Sequence, residues 1–168
     1  TLPKIEKYLY ERGIDYLIHM TKMPNQATEM TTSLIKNGAT DIIVVGGDGT
    51  LHEVINGFSD FDRVNMGIIP CGTGNDFAYA LNIPLNTEKA LDIILEQTPK
   101  YVDYMQMGDI RGLNIIGTGI DVDVLKKYEK LKKKNKFKNQ KAFIDFCEEQ
   151  KMLRYSAEKI VFSVCLRA

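Results

Sequence analysis

The spacing of apolar residues changes along this chain of 168 residues. Leu2, Ile5 and Leu9 recur at helical intervals and predict a helix over residues 2–12. Residues 14–20 (Ile-Asp-Tyr-Leu-Ile-His-Met) are dense in apolar and aromatic side chains and predict a strand. A second helical pattern covers 26–37 and stops before Gly38. Residues 42–45 (Ile-Ile-Val-Val) form a continuous β-branched run, the pattern of a strand covered on both faces in a parallel sheet. The rest of the first hundred residues predicts a helix over 50–58, a short buried strand over 66–70, and helices over 74–81 and 86–97. This alternation implies a layered, Rossmann-like α/β domain over 1–100 with a mostly parallel sheet.

Beyond residue 100 the pattern shifts. Residues 100–106 and 113–117 read as strands with no helix between them, 122–155 as a long charged helical span, and 159–166 as a strand. A second, β-rich unit is therefore expected to begin at residue 101 and to be incomplete at 168. The chain starts with Thr1 rather than Met and ends just after an apolar stretch, so it reads as part of a longer protein.

Two glycine-rich loops carry the chemistry. Gly46-Gly47-Asp48-Gly49-Thr50 follows the Ile42–Val45 strand and precedes a helix. Glycines let a backbone approach a ligand without Cβ clashes, and the N–H groups of a helix start suit a phosphate. Thr50 and Glu53 have the T-x-x-E spacing of a capping box. Asp48 would repel a phosphate unless a divalent cation lies between them or the carboxylate orients a hydroxyl. A capped turn with no ligand is the plainer alternative. The second loop, Pro70-Cys71-Gly72-Thr73-Gly74-Asn75-Asp76-Phe77, also links a buried strand to a helix. Both loops would then lie at the carboxyl edge of the sheet, where open α/β sheets bind ligands.

Composition narrows the picture. Hydrophobic residues make up 44% and charged residues 26%, which suits a folded domain and excludes a mostly disordered chain. Twenty-two basic residues balance 22 acidic ones, giving no reason to expect nucleic acid as a partner. No apolar run reaches the length of a membrane span. Three cysteines without a C-x-x-C pair fit a reduced, cytoplasmic setting. There is no Gly-Lys dipeptide for a Walker A loop, no complete Rossmann fingerprint, and no H-E-x-x-H or G-x-S-x-G motif. His19 and His52 are too few for a zinc site. Cys71 reads as a loop residue rather than a nucleophile, because no histidine lies near it in sequence. Lys126–Lys141 holds nine lysines against the single acid Glu129, a candidate contact with an anionic membrane or else a solvated helix face.

G-G-D-G-T followed some twenty residues later by P-x-G-T-G-N-D-F resembles the diacylglycerol kinase catalytic-domain family, which includes bacterial lipid kinases and sphingosine kinases. The likeness covers roughly residues 5–125 and extends through Val102-Asp103 and Asn114–Asp121. NAD kinases and phosphofructokinases share a G-G-D-G-T-like stretch, but the G-T-G-N-D form favours the lipid kinases. The resemblance implies transfer of the γ-phosphoryl of ATP to a lipid hydroxyl, with diacylglycerol as the expected acceptor, Mg²⁺ as the cofactor and work at the inner membrane face. It assigns nucleotide binding to Gly46, Gly47, Gly49, Thr50, Gly72, Thr73, Gly74 and Asn75. Asp48 becomes the essential carboxylate, and Asp48, Asp76 and Asp103 become the support for Mg²⁺. Asp121 falls at a lipid head-group position. The family's opening strand and Asn-Pro loop, and most of its second domain, have no counterpart in this sequence. An NAD kinase-like phosphotransferase and a non-catalytic nucleotide-binding module are the competing readings.

Overall fold

The computed structural model describes residues 1–96 and 98–114, with Val122 and Lys126 beyond them. The elements run α1 (Leu2–Glu11), α2 (Gln26–Lys36), β1 (Asp41–Gly46), α3 (Asp48–Gly57), β2 (Asn65–Pro70), α4 (Asp76–Ala80), α5 (Thr87–Glu96), β3 (Met105–Met107) and β4 (Ile110–Gly112). β1 and β2 pair in parallel, from Asp41 opposite Asn65 to Gly46 opposite Pro70. A parallel pair needs a crossover, and α3 supplies it.

Helices cover both faces of this pair. Alternate strand residues point to opposite sides, so Ile42, Val44 and Ile68 join Ala27, Leu51, Val54, Phe58 and Phe77 in one apolar cluster. Ile69 turns the other way and packs with Ile5, Leu9, Ala90 and Leu91, with Ile43 half-buried against them. Ile69 and Leu91 are fully buried. The layered α/β architecture is as the periodicity implies. The full two-sided cover expected for residues 42–45 is not reached at Val45, which is exposed.

α2 and α3 are stitched together by short side chains. A Cβ on Gly57 would collide with the Thr28 carbonyl and with Thr31. Thr28 Oγ1 donates to the Glu53 carbonyl at 2.9 Å, and Thr32 Oγ1 donates to the Gly57 carbonyl at 3.0 Å. The other face is closed by long side chains. The Tyr8 hydroxyl on α1 donates to Asp92 on α5, and the Arg12 guanidinium lies 3.5 Å from the Tyr8 ring centroid. The hydrogen bond to Asp92, then burial, raises the Tyr8 phenol above its ordinary 10.0.

Residues 14–20 form no strand. A strand is defined by its partner, and among the described residues none pairs with this segment. Tyr16, Leu17, Ile18 and Met20 are all exposed. The strand predicted over 100–106 is shorter and shifted, and the one predicted over 113–117 lies outside the described residues from 115 on. Met105–Met107 and Ile110–Gly112 form an antiparallel hairpin, turned by Gly108 at φ 61°. The predicted helix over 122–155, the strand over 159–166, Asp121 and the lysine run lie outside the described residues, except for Val122 and Lys126, which are helical.

Arg111 holds that hairpin to the end of α3. Its guanidinium donates to the Ile55 and Phe58 carbonyls at 3.2 and 2.6 Å. The Asn56 side-chain amide donates to the Arg111 carbonyl and accepts from the Arg111 N–H, each at 2.8 Å. A cation near the carbonyl end of a helix is favourable, because those carbonyls lack helical partners. Phe61 and Tyr104 stack at 5.2 Å beside it.

Candidate functional site

The register of the parallel pair brings the two glycine loops side by side. Gly46 and Pro70 are paired, and the ladder continues as Cys71 N–H donates to the Gly46 carbonyl at 2.8 Å. Beyond it the loops touch backbone to backbone. A Cβ on Gly47 would stand 2.7 Å from Gly72 Cα, and one on Gly72 would stand 2.5 Å from Gly47 Cα. Neither position has room for any other residue.

Asn75 shapes the second loop. It is buried and left-handed, with φ 57°. Its Oδ1 accepts from Gly72 N–H at 2.8 Å, and its Nδ2 donates to the Gly72 carbonyl at 2.9 Å. Asparagine tolerates this backbone better than most residues and satisfies the loop's polar groups from its own side chain. The Asn75 amide is therefore engaged within the loop, while Gly72, Thr73 and Gly74 are exposed around it.

Asp48 links the loops. Its Oδ1 accepts from the Phe77 N–H at 3.2 Å. Its Oδ2 faces Gly74, where a Cβ would lie 3.1 Å from it and 3.4 Å from Asp76 Oδ1. The two carboxylates thus converge on one glycine. Asp103, in the connection before β3, does not join them in a metal-ready cluster: among the described residues no three His, Cys, Asp or Glu side chains are grouped to hold an ion.

The capping box expected from Thr50 and Glu53 is not formed. α3 starts three residues earlier than such a box requires, with Gly47 as its cap residue. Thr50 instead packs under Gly46, where a Cβ would meet Thr50 Oγ1 at 2.8 Å. Glu53 reaches across to α2, accepting from Asn25 N–H at 2.8 Å and Ala27 N–H at 3.0 Å. It caps the neighbouring helix rather than its own.

The space around the loops is uneven. The void beneath them, bounded by Gly46, Asp48, Pro70 and Asn75, holds only about 10 Å³. A wide-open cleft on the outer side, lined by Thr21, Lys22, Met23, Pro24, Gly49, Thr50 and Glu53, holds about 430 Å³. Gly49 stands at its mouth, and a Cβ there would meet nothing. The Thr21–Pro24 wall went unnoticed in the sequence. Its signal is an apolar run followed by a polar, proline-containing turn and a helix, the same order that flags the glycine loops.

Comparison with known proteins decides the family. The model of the diacylglycerol kinase catalytic domain matches residues 1–107. The chain belongs to that family. Over 120 residues it is 35% identical to a protein named diacylglycerol kinase from Staphylococcus saprophyticus, covering 71% of this chain and 39% of the relative. One of the same name from Bacillus subtilis is 34% identical over 120 residues, covering 70% and 40%. The crystal structure of a diacylglycerol kinase from Bacillus anthracis superposes with a TM-score of 0.55 at 30% identity, over 64% of this chain and 40% of that one. The chain thus spans about two-fifths of the length of these relatives. Among its described residues no helix is long and apolar enough to cross a membrane.

Proposed function

We propose that this chain is the nucleotide-binding part of a lipid kinase that moves the γ-phosphoryl of ATP to the hydroxyl of diacylglycerol, giving phosphatidic acid. The observation that carries this reading is the contact of Gly47 with Gly72, which leaves Asp48 and Asp76 converging on Gly74. In this reading the exposed Gly49 and the first N–H groups of α3 receive phosphate oxygens. Asp48 and Asp76 would hold Mg²⁺, which takes one or two carboxylates and completes its shell with phosphate and water. When bound, the ion offsets the charge on the transferring group. The acceptor oxygen forms its bond to phosphorus as the bond to the ADP oxygen breaks, ADP leaves with the electron pair, and the hydroxyl's proton is released to water. The protein's share is positioning.

Diacylglycerol binding belongs, in the same proposal, to the β-rich unit expected from residue 101 onward and to Asp121. Contact with the bilayer belongs to Lys126–Lys141, at the cytoplasmic face. Asp103 would add its carboxylate to the support of the same ion. Incubating the intact protein with labelled ATP, Mg²⁺ and either dispersed diacylglycerol or NAD tests the reading. Labelled phosphatidic acid is the expected product. Label in NADP, or in neither acceptor, would overturn it.

A further inference from the structure

The two glycine loops contain no cation. Residues 46–50 and 70–77 include no Lys, Arg or His, while both bear carboxylates. A nucleoside triphosphate entering beside them brings several negative charges toward Asp48 and Asp76. One divalent ion offsets part of that charge. In many phosphate sites a lysine within the loop supplies the rest, and here the loop has none.

The cleft beside them supplies one. Lys22 is the one basic residue among the described residues lining it, together with Gly49, Thr50 and the acid Glu53. Its backbone is well anchored. Lys22 N–H donates to Gln26 Oε1 at 2.6 Å, and Gln26 N–H turns back to the Met23 carbonyl at 3.4 Å. The next residues are tied to α3 by Glu53, which accepts from Asn25 and Ala27 N–H. Glu53 belongs to the same helix whose first turn carries Asp48 and Gly49. The wall bearing Lys22 and the glycine loop are therefore fixed to a common element, one turn apart.

We propose that Lys22 binds the polyphosphate of the nucleotide, supplying from outside both glycine motifs the positive charge they lack, and that Glu53 positions it. This rests on the ATP reading above. Lys22 is exposed and holds its backbone contacts through its own N–H, so replacing its side chain leaves the wall in place.

The test is calorimetric titration of the intact protein and its Lys22→Gln and Lys22→Arg variants with ATP and with adenosine, at low and high salt. Lys22→Gln is expected to weaken ATP binding roughly 10-fold, the loss of one charge-assisted contact. It should leave adenosine affinity unchanged and flatten the salt dependence of ATP binding. Lys22→Arg should retain most of the affinity. Undiminished ATP binding by Lys22→Gln would overturn the inference alone. So would equal weakening of ATP and adenosine, which would mean a collapsed wall. Wild-type protein that binds neither ligand would overturn the ATP reading and this inference together.

Discussion

The carboxyl edge of the sheet and the corner between α1 and α5 are joined by opposite means. At the edge, Gly47 meets Gly72 with no side chain between them, and Asn75 folds its amide back on its own loop. At the corner, Tyr8, Arg12 and Asp92 span the gap with long side chains. The corner can trade atoms: lose one group and the others still touch. The edge cannot, because backbone already lies against backbone. A surface made of main chain in direct contact has no slack. The first prediction follows from that difference and carries the largest effect. Gly47→Ala or Gly72→Ala must push the loops apart by a fraction of an ångström or more. We expect roughly 1–3 kcal/mol of lost stability from overpacking. Turnover should fall about 10²-fold, since a shift of about 1 Å at reacting groups costs that much. Chemical denaturation and a kinase assay read the two effects. Wild-type stability in Gly72→Ala would mean the loops stand farther apart.

The second prediction separates charge from shape at the same edge. Asp48→Asn keeps an oxygen able to accept from Phe77 N–H, so the link between the loops survives. What goes is the negative charge facing Gly74. Turnover should drop by about 10²–10³ while the melting temperature moves little. A large fall in melting temperature would show that the carboxylate is structural.

This contrast also explains what could be read in advance. The loops were legible because glycine, asparagine and aspartate at fixed spacing after a β-branched run leave few physical alternatives. The layers followed from apolar periodicity, since Ile42, Val44 and Ile68 alternate against Ile43 and Ile69. Other features depend on distant partners and leave no local trace. Residues 14–20 have strand-like composition, but pairing is a property of two segments. Glu53 fits a local capping box, and the competing donors at Asn25 and Ala27 lie 28 and 26 residues away. Arg111 looks like an ordinary charged residue between two glycines of a hairpin. Only the fold places it at the last carbonyls of α3.

The third prediction moves to the seam between α2 and α3. Glu53→Ala leaves two N–H groups at the start of α2 without their acceptor. Loss of a cap costs typically about 1 kcal/mol. The same variant frees the Thr21–Pro24 wall, so ATP affinity should fall along with stability. Urea denaturation and nucleotide titration measure the pair. An unchanged affinity would detach that wall from the nucleotide site.

The smallest effect is expected at the corner, and its sign can be worked out. Tyr8 is an acid whose neutral form donates to Asp92. Its phenol is raised above 10.0 in the folded protein, first by that hydrogen bond and then by burial. The folded state therefore holds this proton more tightly than the unfolded state. The stabilisation is fully present below about pH 10, the ordinary value for tyrosine, and is lost as pH rises through the higher folded value. Tyr8→Phe removes the donor and keeps the ring beneath Arg12, so the cation contact survives. Asp92 remains partly exposed and still pairs with Arg12 at 3.9 Å, so solvent and that partner absorb part of the loss. We expect about 1 kcal/mol of lost stability at pH 7. Denaturation series for both proteins from pH 8 upward should converge as the wild-type phenol ionises. A gap that stays constant through that range would mean the Tyr8–Asp92 hydrogen bond contributes nothing. The corner would then be held by the buried apolar surface of Ile5, Leu9, Ala90 and Leu91 alone.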